Sequence, residues 1–290
     1  MIYLAESGST KTDAVLLSDS GEELERFPHI GLNPYFYDSD MISAELRKVP
    51  QLMENACQIN QVYFYAAGSS SEFLANRLRE GLSSVFEKAE VHVDHDLMAC
   101  AYATYSGEPG ISCILGTGSN SVYFDGKEIA HSNSGMGFIL GDEGSASYIG
   151  KRLLRGYFYK RMPEEFREKF ARQYRLDKDH VIKKVYQEEH ANVYLASFAP
   201  FASENIRHPF FWEIVFSGFK EFLENHVLCF PQAREVPVHF VGSIAWYFSE
   251  ILGNVMDHMD LKPGSIVQKP LDKLIEYHRK YIFTLTSSKI

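Results

Sequence analysis

Two short loops rich in glycine, serine and threonine follow apolar stretches and have the composition of phosphate-binding loops. The first is Glu6-Ser-Gly-Ser-Thr-Lys-Thr12, and the second is Leu115-Gly-Thr-Gly-Ser-Asn120. Missing or short side chains let backbone N–H groups converge on phosphate oxygens, while hydroxyls donate further hydrogen bonds. A plain hairpin turn explains either loop alone. Two matched loops, with a third strand end at Gly242-Ser243, favour nucleotide binding.

A carboxylate at a strand end is the second feature with chemical potential. Asp96 follows the apolar strand predicted at Val91–Val93, and strand ends in open α/β sheets collect ligands and catalytic groups. An Asp at such a place can take the proton of a hydroxyl that attacks phosphorus. The alternative is a helix N-cap for the segment that starts at Leu97. His92 and His95 face opposite sides of a strand, which disfavours a metal site.

Other nucleotide and nucleophile patterns do not fit. The nearest approach to a Walker loop, Gly144 to Arg152, has one residue too many and lacks the final hydroxyl. The dinucleotide pattern fails after Gly118, where no third glycine follows. The segment Gly141-Asp-Glu-Gly-Ser-Ala146 opens a predicted helix, and acidic residues are common there for reasons of the helix dipole alone.

The elements that position these residues repeat. Each loop lies between two short strands and is followed by a hairpin turn, and Ser7 falls about 110 positions before Thr117. Between the repeats, helices are predicted at 41–55, 70–86 and 97–105, with a capping arrangement of Ser69 and Glu72. Strands are predicted at 62–67 and 91–93. A long helical half at 145–229, a strand at 236–241 and a last helix at 271–281 complete an α/β pattern.

Composition bounds the class of protein. The chain has 290 residues, 45% of them hydrophobic, and a net charge of −9, which argues against a general nucleic-acid surface. No window is long and apolar enough to cross a membrane, and the four cysteines are interpreted as small buried residues. A cytoplasmic location is expected, as no signal peptide is evident. The aromatic run at 210–216 is interpreted as core or as a homodimer interface.

These motifs, in this order and spacing, resemble the BadF/BadG/BcrA/BcrD ATPase family and, within it, the amino-sugar kinases. The resemblance spans nearly the whole chain. It implies an actin-like, hexokinase-like fold with two RNase-H-like α/β domains and an ATP cleft between them. The expected domains are 1–107 and 108–270, the second with a helical insertion. The C-terminal helix at about 271–290 is a candidate to pack back on the first domain.

The resemblance also implies ATP and Mg²⁺ as cofactors and assigns residues to them. The first loop resembles the family's first phosphate loop, with Thr10 and Lys11 near the β- and γ-phosphates. Glu6 is expected to hold Mg²⁺ through a water molecule, because hard cations prefer carboxylate and water oxygens. The residues expected to bind ATP and its phosphates are Ser7, Gly8, Ser9, Thr10, Lys11, Thr117, Gly118, Gly242 and Ser243.

On the sugar side, the resemblance implies that Asp96 is the catalytic base and that Asp142 holds sugar hydroxyls. Met136 precedes Gly137 where a relative carries a Trp. The residues expected to bind the sugar are Asn33, Asp96, Ser119, Asn120, Gly137, Asp142 and Ala146. The implied function is an ATP-dependent kinase for an amino sugar, with N-acetylglucosamine phosphorylated at its 6-hydroxyl as the leading reaction.

Two other functions remain as alternatives. One is an ATPase that activates a 2-hydroxyacyl-CoA dehydratase, which would need two well-placed cysteines per chain for an iron–sulfur cluster shared by a dimer. Cys100 and Cys113 are the candidates, although one lies in a helix pattern and the other in a strand pattern. The other alternative is a non-catalytic sugar or nucleotide sensor, which the changes at Met136 and Lys273 suggest.

Overall fold

The computed structural model describes residues 1–8, 10–133 and 135–283. The strands in this part of the chain are β1 (Ile2–Ser7), β2 (Lys11–Leu17), β3 (Glu23–Ile30), β4 (Gln61–Ala66), β5 (Glu90–His95), β6 (Gly110–Leu115), β7 (Ser119–Phe124), β8 (Ile129–Ser132), β9 (Pro237–Val241) and β10 (Lys262–Val267). The helices are α1 (Ser39–Leu46), α2 (Pro50–Asn55), α3 (Glu72–Val85), α4 (Asp96–Thr104), α5 (Gly137–Leu140), α6 (Ala146–Phe158), α7 (Glu164–Tyr174), α8 (Lys178–Tyr186), α9 (Ala191–Ala196), α10 (Ala199–Glu204), α11 (Pro209–Phe222), α12 (Ser243–Tyr247), α13 (Ser249–His258) and α14 (Leu271–Tyr277). Two π-helical turns, Leu223–Val227 and His278–Ile282, follow α11 and α14.

The chain divides into two compact units. Unit 1 is Met1–Tyr105 together with the segment from Pro270 onward, and unit 2 is Ser106–Lys269. The C-terminal helix α14 therefore belongs to the first unit. It packs Leu271, Leu274 and Ile275 against strands β1, β2 and β4 and against α4.

Both units contain a five-stranded mixed sheet of the same plan. The order in unit 1 is β3-β2-β1-β4-β5, and in unit 2 it is β8-β7-β6-β9-β10. In each unit the first three strands are antiparallel, and the last two run parallel to the first strand of that sheet. The repeat seen in the sequence is thus a repeat of the fold. The first residue after the first strand is Gly8 in unit 1 and Gly116 in unit 2. These two are therefore the equivalent loop positions, rather than Ser7 and Thr117.

The central strand of unit 1 is buried on both faces because helices cover both. Tyr3 and Ala5 of β1 pack with the α1 and α3 side, while Ile2 and Leu4 pack with the α4 and α14 side. In unit 2 the cluster between sheet and helices is rich in aromatic side chains. Phe211 and Val215 of the predicted aromatic run are fully buried there, and Trp212 and Phe216 stack on its border.

Several local predictions were wrong, for identifiable reasons. The helix predicted over 41–55 is two helices, because Pro50 cannot continue the first and begins the second. Ser71, not Ser69, caps α3 by accepting from the Leu74 N–H, and the Ser69 hydroxyl donates to two carbonyls instead. Strand β5 extends to His95. Among the cysteines, Cys57 and Cys229 are exposed, and only Cys100 and Cys113 are buried.

Candidate functional site

In unit 1 three carboxylates come together at the carboxyl end of β1. Side chains alternate between faces along a strand, so Glu6 continues the face that begins with Ile2 and Leu4. The antiparallel register places Asp13 of β2 directly opposite Glu6. Asp96 also acts electrostatically on Glu6. We call Glu6, Asp13 and Asp96 the acidic cluster.

Asp96 owes its place to the parallel half of the sheet. Strands β1, β4 and β5 run parallel, so their carboxyl ends lie at the same edge. Asp96 is the first residue of α4, directly after β5. His95, and not Asp96, is the N-cap, because its ring nitrogen accepts from the Met98 N–H at 3.2 Å. His95 therefore fills the N-cap position that was considered for Asp96, while the Asp96 carboxylate interacts with the N–H groups of Leu97 and Asp96 in the first turn.

Burial and crowding raise the pKa values of this cluster. Burial raises the pKa of Asp96 to about 6, against the opposing effects of the neighbouring His95 and of the backbone N–H groups of Leu97 and Asp96 itself. The pKa of Glu6 is raised to about 8, first by burial and then by the charges of Asp96 and Asp13, while Lys11 lowers it. Carboxyls whose ionisation is this unfavourable are suited to receive a proton or to face a cation.

The acidic cluster fits a magnesium ion bound together with phosphate. Among residues 1–8, 10–133 and 135–283, no three His, Cys, Asp or Glu side chains are arranged to hold a metal ion by themselves. Mg²⁺, however, keeps several waters and takes one or two carboxylates along with substrate phosphate oxygens. Glu6 and Asp13 offer that kind of donor set, and a divalent cation would offset the crowding of negative charge that raises the pKa of Glu6.

The first loop is a tight turn that buried neighbouring residues support. The Gly8 N–H donates to the Lys11 carbonyl at 2.9 Å. Ser7 is fully buried, and its hydroxyl accepts from Thr12 at 2.8 Å and from the Leu32 N–H at 2.9 Å. A side chain at Gly31 would begin 2.3 Å from the Gly8 carbonyl oxygen, so only glycine permits this approach. The Ser7 hydroxyl thus shapes the loop.

The outer residues of this loop face solvent. Thr10 is exposed, and Lys11 is half exposed with its Nζ 2.5 Å from Asp13 Oδ1. The ammonium group is therefore at the rim of the acidic cluster. Ser9, also expected to bind phosphate, lies outside the described residues.

Asn33 is linked to Asp96 through the turn after β4. Asn33 is buried, and its Oδ1 accepts from the Tyr35 N–H at 3.0 Å. A side chain at Gly68 would begin 2.5 Å from that oxygen, which shows how closely the turn packs on Asn33. The next residue, Ser69, donates to the carbonyl of Asp94, two residues before Asp96, at 3.1 Å.

Unit 2 holds its expected site residues around the second loop. The loop Gly116–Gly118 is joined to the start of α6, because the Ala146 N–H donates to the Gly116 carbonyl at 2.9 Å and the Ser147 N–H to that of Thr117 at 3.1 Å. Ser119 is buried. Its hydroxyl donates to the Glu143 carbonyl at 2.7 Å. This hydrogen bond joins the second loop to the segment before α6, within unit 2.

Asp142 lies against this loop in an unusual conformation. Its φ of 56° is in the left-handed region, which Asp tolerates better than most residues. Its Oδ1 accepts from the Ser119 N–H at 3.3 Å, and a side chain at Gly118 would begin 2.9 Å from Oδ2. Burial raises the pKa of Asp142. The structure therefore brings Gly118, Ser119, Asp142 and Ala146 together.

Asn120 and Gly137 lie on the outer side of this group. A side chain at Gly135 would begin 2.9 Å from Asn120 Nδ2. Gly137 begins α5 with a φ of 67°, and no heavy atom lies within 4 Å of the position of an added Cβ. Next to it, Met136, Ile139 and Leu140 are 58%, 74% and 71% exposed. The segment that leads into Asp142 thus exposes three apolar side chains.

The backbone conformation at position 242 requires glycine. Its φ is 124°, and a side chain would begin 2.3 Å from the Leu115 carbonyl oxygen. The end of β9 therefore touches the residue before the second loop. Ser243 is exposed at the start of α12, and Trp246, one turn later, is 48% exposed.

Three parts of these sites were not predicted. Asp13 was not predicted, although pairing β2 with β1 and following the alternation of side chains along β2 would have placed it opposite Glu6. Glu143 and His226 form a hydrogen-bonded pair, with Nε2 and Oε2 2.9 Å apart. Because they lie far apart in the sequence, no spacing connects them. Gly31 carries no chemical signal of its own.

The duplicated sheets, each with a loop after its first strand, define an actin-like ATPase fold. The sequence matches the BadF/BadG/BcrA/BcrD ATPase family over residues 6–208. The structure of a putative N-acetylglucosamine kinase from Porphyromonas gingivalis aligns with a TM-score of 0.92 and 37% identity, over 97% of this chain and 99% of that one. The chain belongs to the BadF/BadG/BcrA/BcrD ATPase family.

More distant structures share the fold. One is a putative N-acetylglucosamine kinase from Chromobacterium violaceum, with a TM-score of 0.62, 16% identity, and coverage of 95% of this chain and 98% of that one. Another is a ROK family glucokinase from Streptomyces griseus in complex with glucose and AMPPNP, with a TM-score of 0.53, 13% identity, and coverage of 95% and 97%. A search of curated proteins found no match. None of the helices among residues 1–8, 10–133 and 135–283 has the length and hydrophobicity to cross a membrane.

Proposed function

We propose that this protein is an ATP-dependent kinase that phosphorylates an amino sugar, with N-acetylglucosamine at its 6-hydroxyl as the leading reaction. The observation that carries the proposal is the position of Asp96 at the carboxyl end of β5, with a pKa raised to about 6 beside Glu6. A base with a pKa near the working pH is best suited to accept a proton in a transition state. The relative that is 37% identical over 97% of the chain supports the choice of sugar.

In the proposed reaction, the Asp96 carboxylate accepts the proton of the sugar hydroxyl as its oxygen attacks the γ-phosphorus of ATP. A new O–P bond forms, the bond from that phosphorus to the β,γ-bridging oxygen breaks, and ADP leaves. Backbone N–H groups of the two loops, with Lys11 and Thr10, would stabilise the charge on the transferring phosphoryl group. Asn33, Asn120 and Asp142 would orient the sugar hydroxyls.

Mg²⁺ would be held by Glu6 and Asp13 through water and would neutralise charge on the phosphates. Lys11, which pairs with Asp13, would turn to a phosphate oxygen once a cation sits among the carboxylates. Gly242 and Ser243 would receive the adenosine. The exposed apolar side chains of Met136, Ile139 and Leu140, in the segment just before Asp142, suit a substituent with a methyl group, such as an acetamido group.

The experiment is to measure ADP release with Mg²⁺ across a panel of amino sugars and plain hexoses. Stimulation by one sugar, with the 6-phosphate found as product, would support the proposal and name the substrate. Asp96→Asn should lose most of this stimulation, and Asp94→Asn, two residues earlier on β5, is its matched control. A flat response with ATP still bound would overturn the kinase proposal.

The dehydratase-activator alternative has a specific difficulty. Its two candidate ligands, Cys100 and Cys113, are 1% and 0% exposed. A cluster shared between two chains needs thiolates that reach the surface. Iron content and visible absorption after anaerobic purification test this alternative directly.

A further inference from the structure

A chain of directed hydrogen bonds runs through the interior of unit 2 to Asp142. It begins at the π-helical turn Leu223–Val227, which contains His226. Turns of this kind are rare and often mark functional sites, because the extra residue redirects a side chain. His226 is 5% exposed, and its ring stacks on Phe222 with centroids 5.0 Å apart.

The direction of each bond follows from its partners. Asn133 Nδ2 lies 2.9 Å from the Asn225 carbonyl oxygen, which only accepts, and this fixes the orientation of the amide. The same nitrogen lies 3.1 Å from His226 Nδ1 and therefore donates to it. The His226 proton is then on Nε2, which donates to Glu143 Oε2 at 2.9 Å.

Glu143, which His226 holds, is connected in turn to Ser119 and Asp142. Its carbonyl accepts from the Ser119 hydroxyl at 2.7 Å, and the Ser119 N–H donates to Asp142 Oδ1 at 3.3 Å. The neighbouring Asp142 is held in the left-handed region with a φ of 56°. A non-glycine residue keeps such a conformation only where its surroundings determine it.

We infer that Glu143 and His226 are positioning residues that hold Asp142 and Ser119 in the geometry needed to bind the sugar. This inference rests on the proposed function for its substrate, but not for the hydrogen bonds themselves. His226 holds the Glu143 side chain, Glu143 holds Ser119, and Ser119 fixes the Asp142 carboxylate. Neither Glu143 nor His226 needs to touch the sugar.

The test compares steady-state kinetics of Glu143→Ala, His226→Ala and His226→Gln. Both alanine variants should raise the KM for the sugar by about tenfold, the effect of losing a hydrogen bond to a charged group, with the KM for ATP nearly unchanged. His226→Gln should recover most of the affinity, because a glutamine N–H reaches the position of Nε2. His239→Gln is the matched control, since His239 is also buried in unit 2 but bonds to Ser265.

A second measurement does not depend on activity. Hydrogen exchange of the Ser119 amide, followed by NMR, should be faster in both alanine variants, slow in His226→Gln and unchanged in His239→Gln. Unaltered exchange and an unaltered sugar KM in the alanine variants would overturn the inference. A wild-type protein that phosphorylates no sugar would instead overturn the proposed function, and the exchange rates would still decide whether the positioning chain exists.

Discussion

Glu6 lies directly opposite Asp13 in the antiparallel pairing of β1 with β2, so two carboxyl groups share one face of the sheet. Asp96 adds a third negative charge near Glu6. Repulsion among these carboxylates lowers the stability of the ligand-free protein when they are ionised. That effect can be measured, and its sign follows from the pKa values.

Replacing Glu6 with Gln should stabilise the ligand-free protein increasingly as pH rises. The folded-state pKa of Glu6 is raised from 4.5 to about 8, so ionisation is harder in the folded state than in the unfolded chain. The stability that wild-type gains from the protonated form is therefore lost as pH rises from about 4.5 towards 8. At pH 8.5 the variant should have the larger free energy of unfolding by at least about 1 kcal/mol. Urea unfolding at pH 5 and pH 8.5 measures this, with Glu25→Gln on exposed β3 as the control, and equal effects of the two substitutions would contradict it.

Replacing Asp96 with Asn should lower kcat by about 10² to 10⁴, the usual contribution of a general base. Asn cannot accept the proton of the sugar hydroxyl, while its size and hydrogen bonds are similar. The dissociation constant for ATP should change little. Coupled assays and calorimetry measure the two quantities, and wild-type turnover in the variant would remove Asp96 from the role of base.

The rate should also fall in acid. Because the pKa of Asp96 is raised to about 6, its carboxylate form is lost as pH falls through that value. The profile of kcat/KM for the sugar should therefore decline about tenfold per unit below this pH. A profile that stays flat down to pH 4.5 in a stable enzyme would count against a base with this pKa.

Replacing Gly242 with Ala should weaken ATP binding by at least about tenfold. The added Cβ would lie 2.3 Å from the Leu115 carbonyl oxygen, and the φ of 124° is unfavourable for alanine. The turn must shift, and the proposed adenosine site shifts with it. Titration of the exposed Trp246 by its fluorescence, in a Trp212→Phe background, measures ATP binding. Gly253→Ala is the control, because no heavy atom lies within 4 Å of its added Cβ; equal binding in both variants would argue against a nucleotide site at this turn.

Replacing Asp142 with Asn should raise the KM for the sugar by about tenfold and leave that for ATP nearly unchanged. Asn tolerates the left-handed region, so the backbone is kept while the charge is lost. Asp125→Asn, in the hairpin turn after β7, is the control. A change in the KM for ATP alone would place Asp142 on the nucleotide side.

The sequence predicted the parts of the fold that depend on local pattern. The alternation of apolar residues and the small-residue loops located β1, β2, β6, β7 and β9, and the internal repeat indicated two units of similar plan. Strand β10 was missed because Pro263 and Gly264 interrupt its pattern, and its register shifts there. The π-helical turn that holds His226 also leaves no periodic signal, since it depends on tertiary contacts.

The candidate site was predictable where its residues lie in motifs and not where they meet only through folding. Asp96 and Asp142 stand in short recognisable segments. The pair of Glu143 and His226 spans two distant segments, and a single sequence cannot connect them. The choice of Ser71 over Ser69 as the cap of α3 was also beyond reach, because the carbonyls that hold Ser69 come from β4 and β5.

The discontinuity of unit 1 has a consequence for synthesis on the ribosome. One face of its sheet, with Ile2, Leu4 and Val15, is covered by α14, which follows the whole of unit 2 in the chain. At about 5–20 residues per second, the roughly 160 residues of unit 2 take on the order of 10–30 s to translate. During that interval α4 alone covers this face of the nascent first unit, and the apolar side chains that α14 buries stay uncovered, so chaperone binding to them is expected until Leu271, Leu274 and Ile275 emerge.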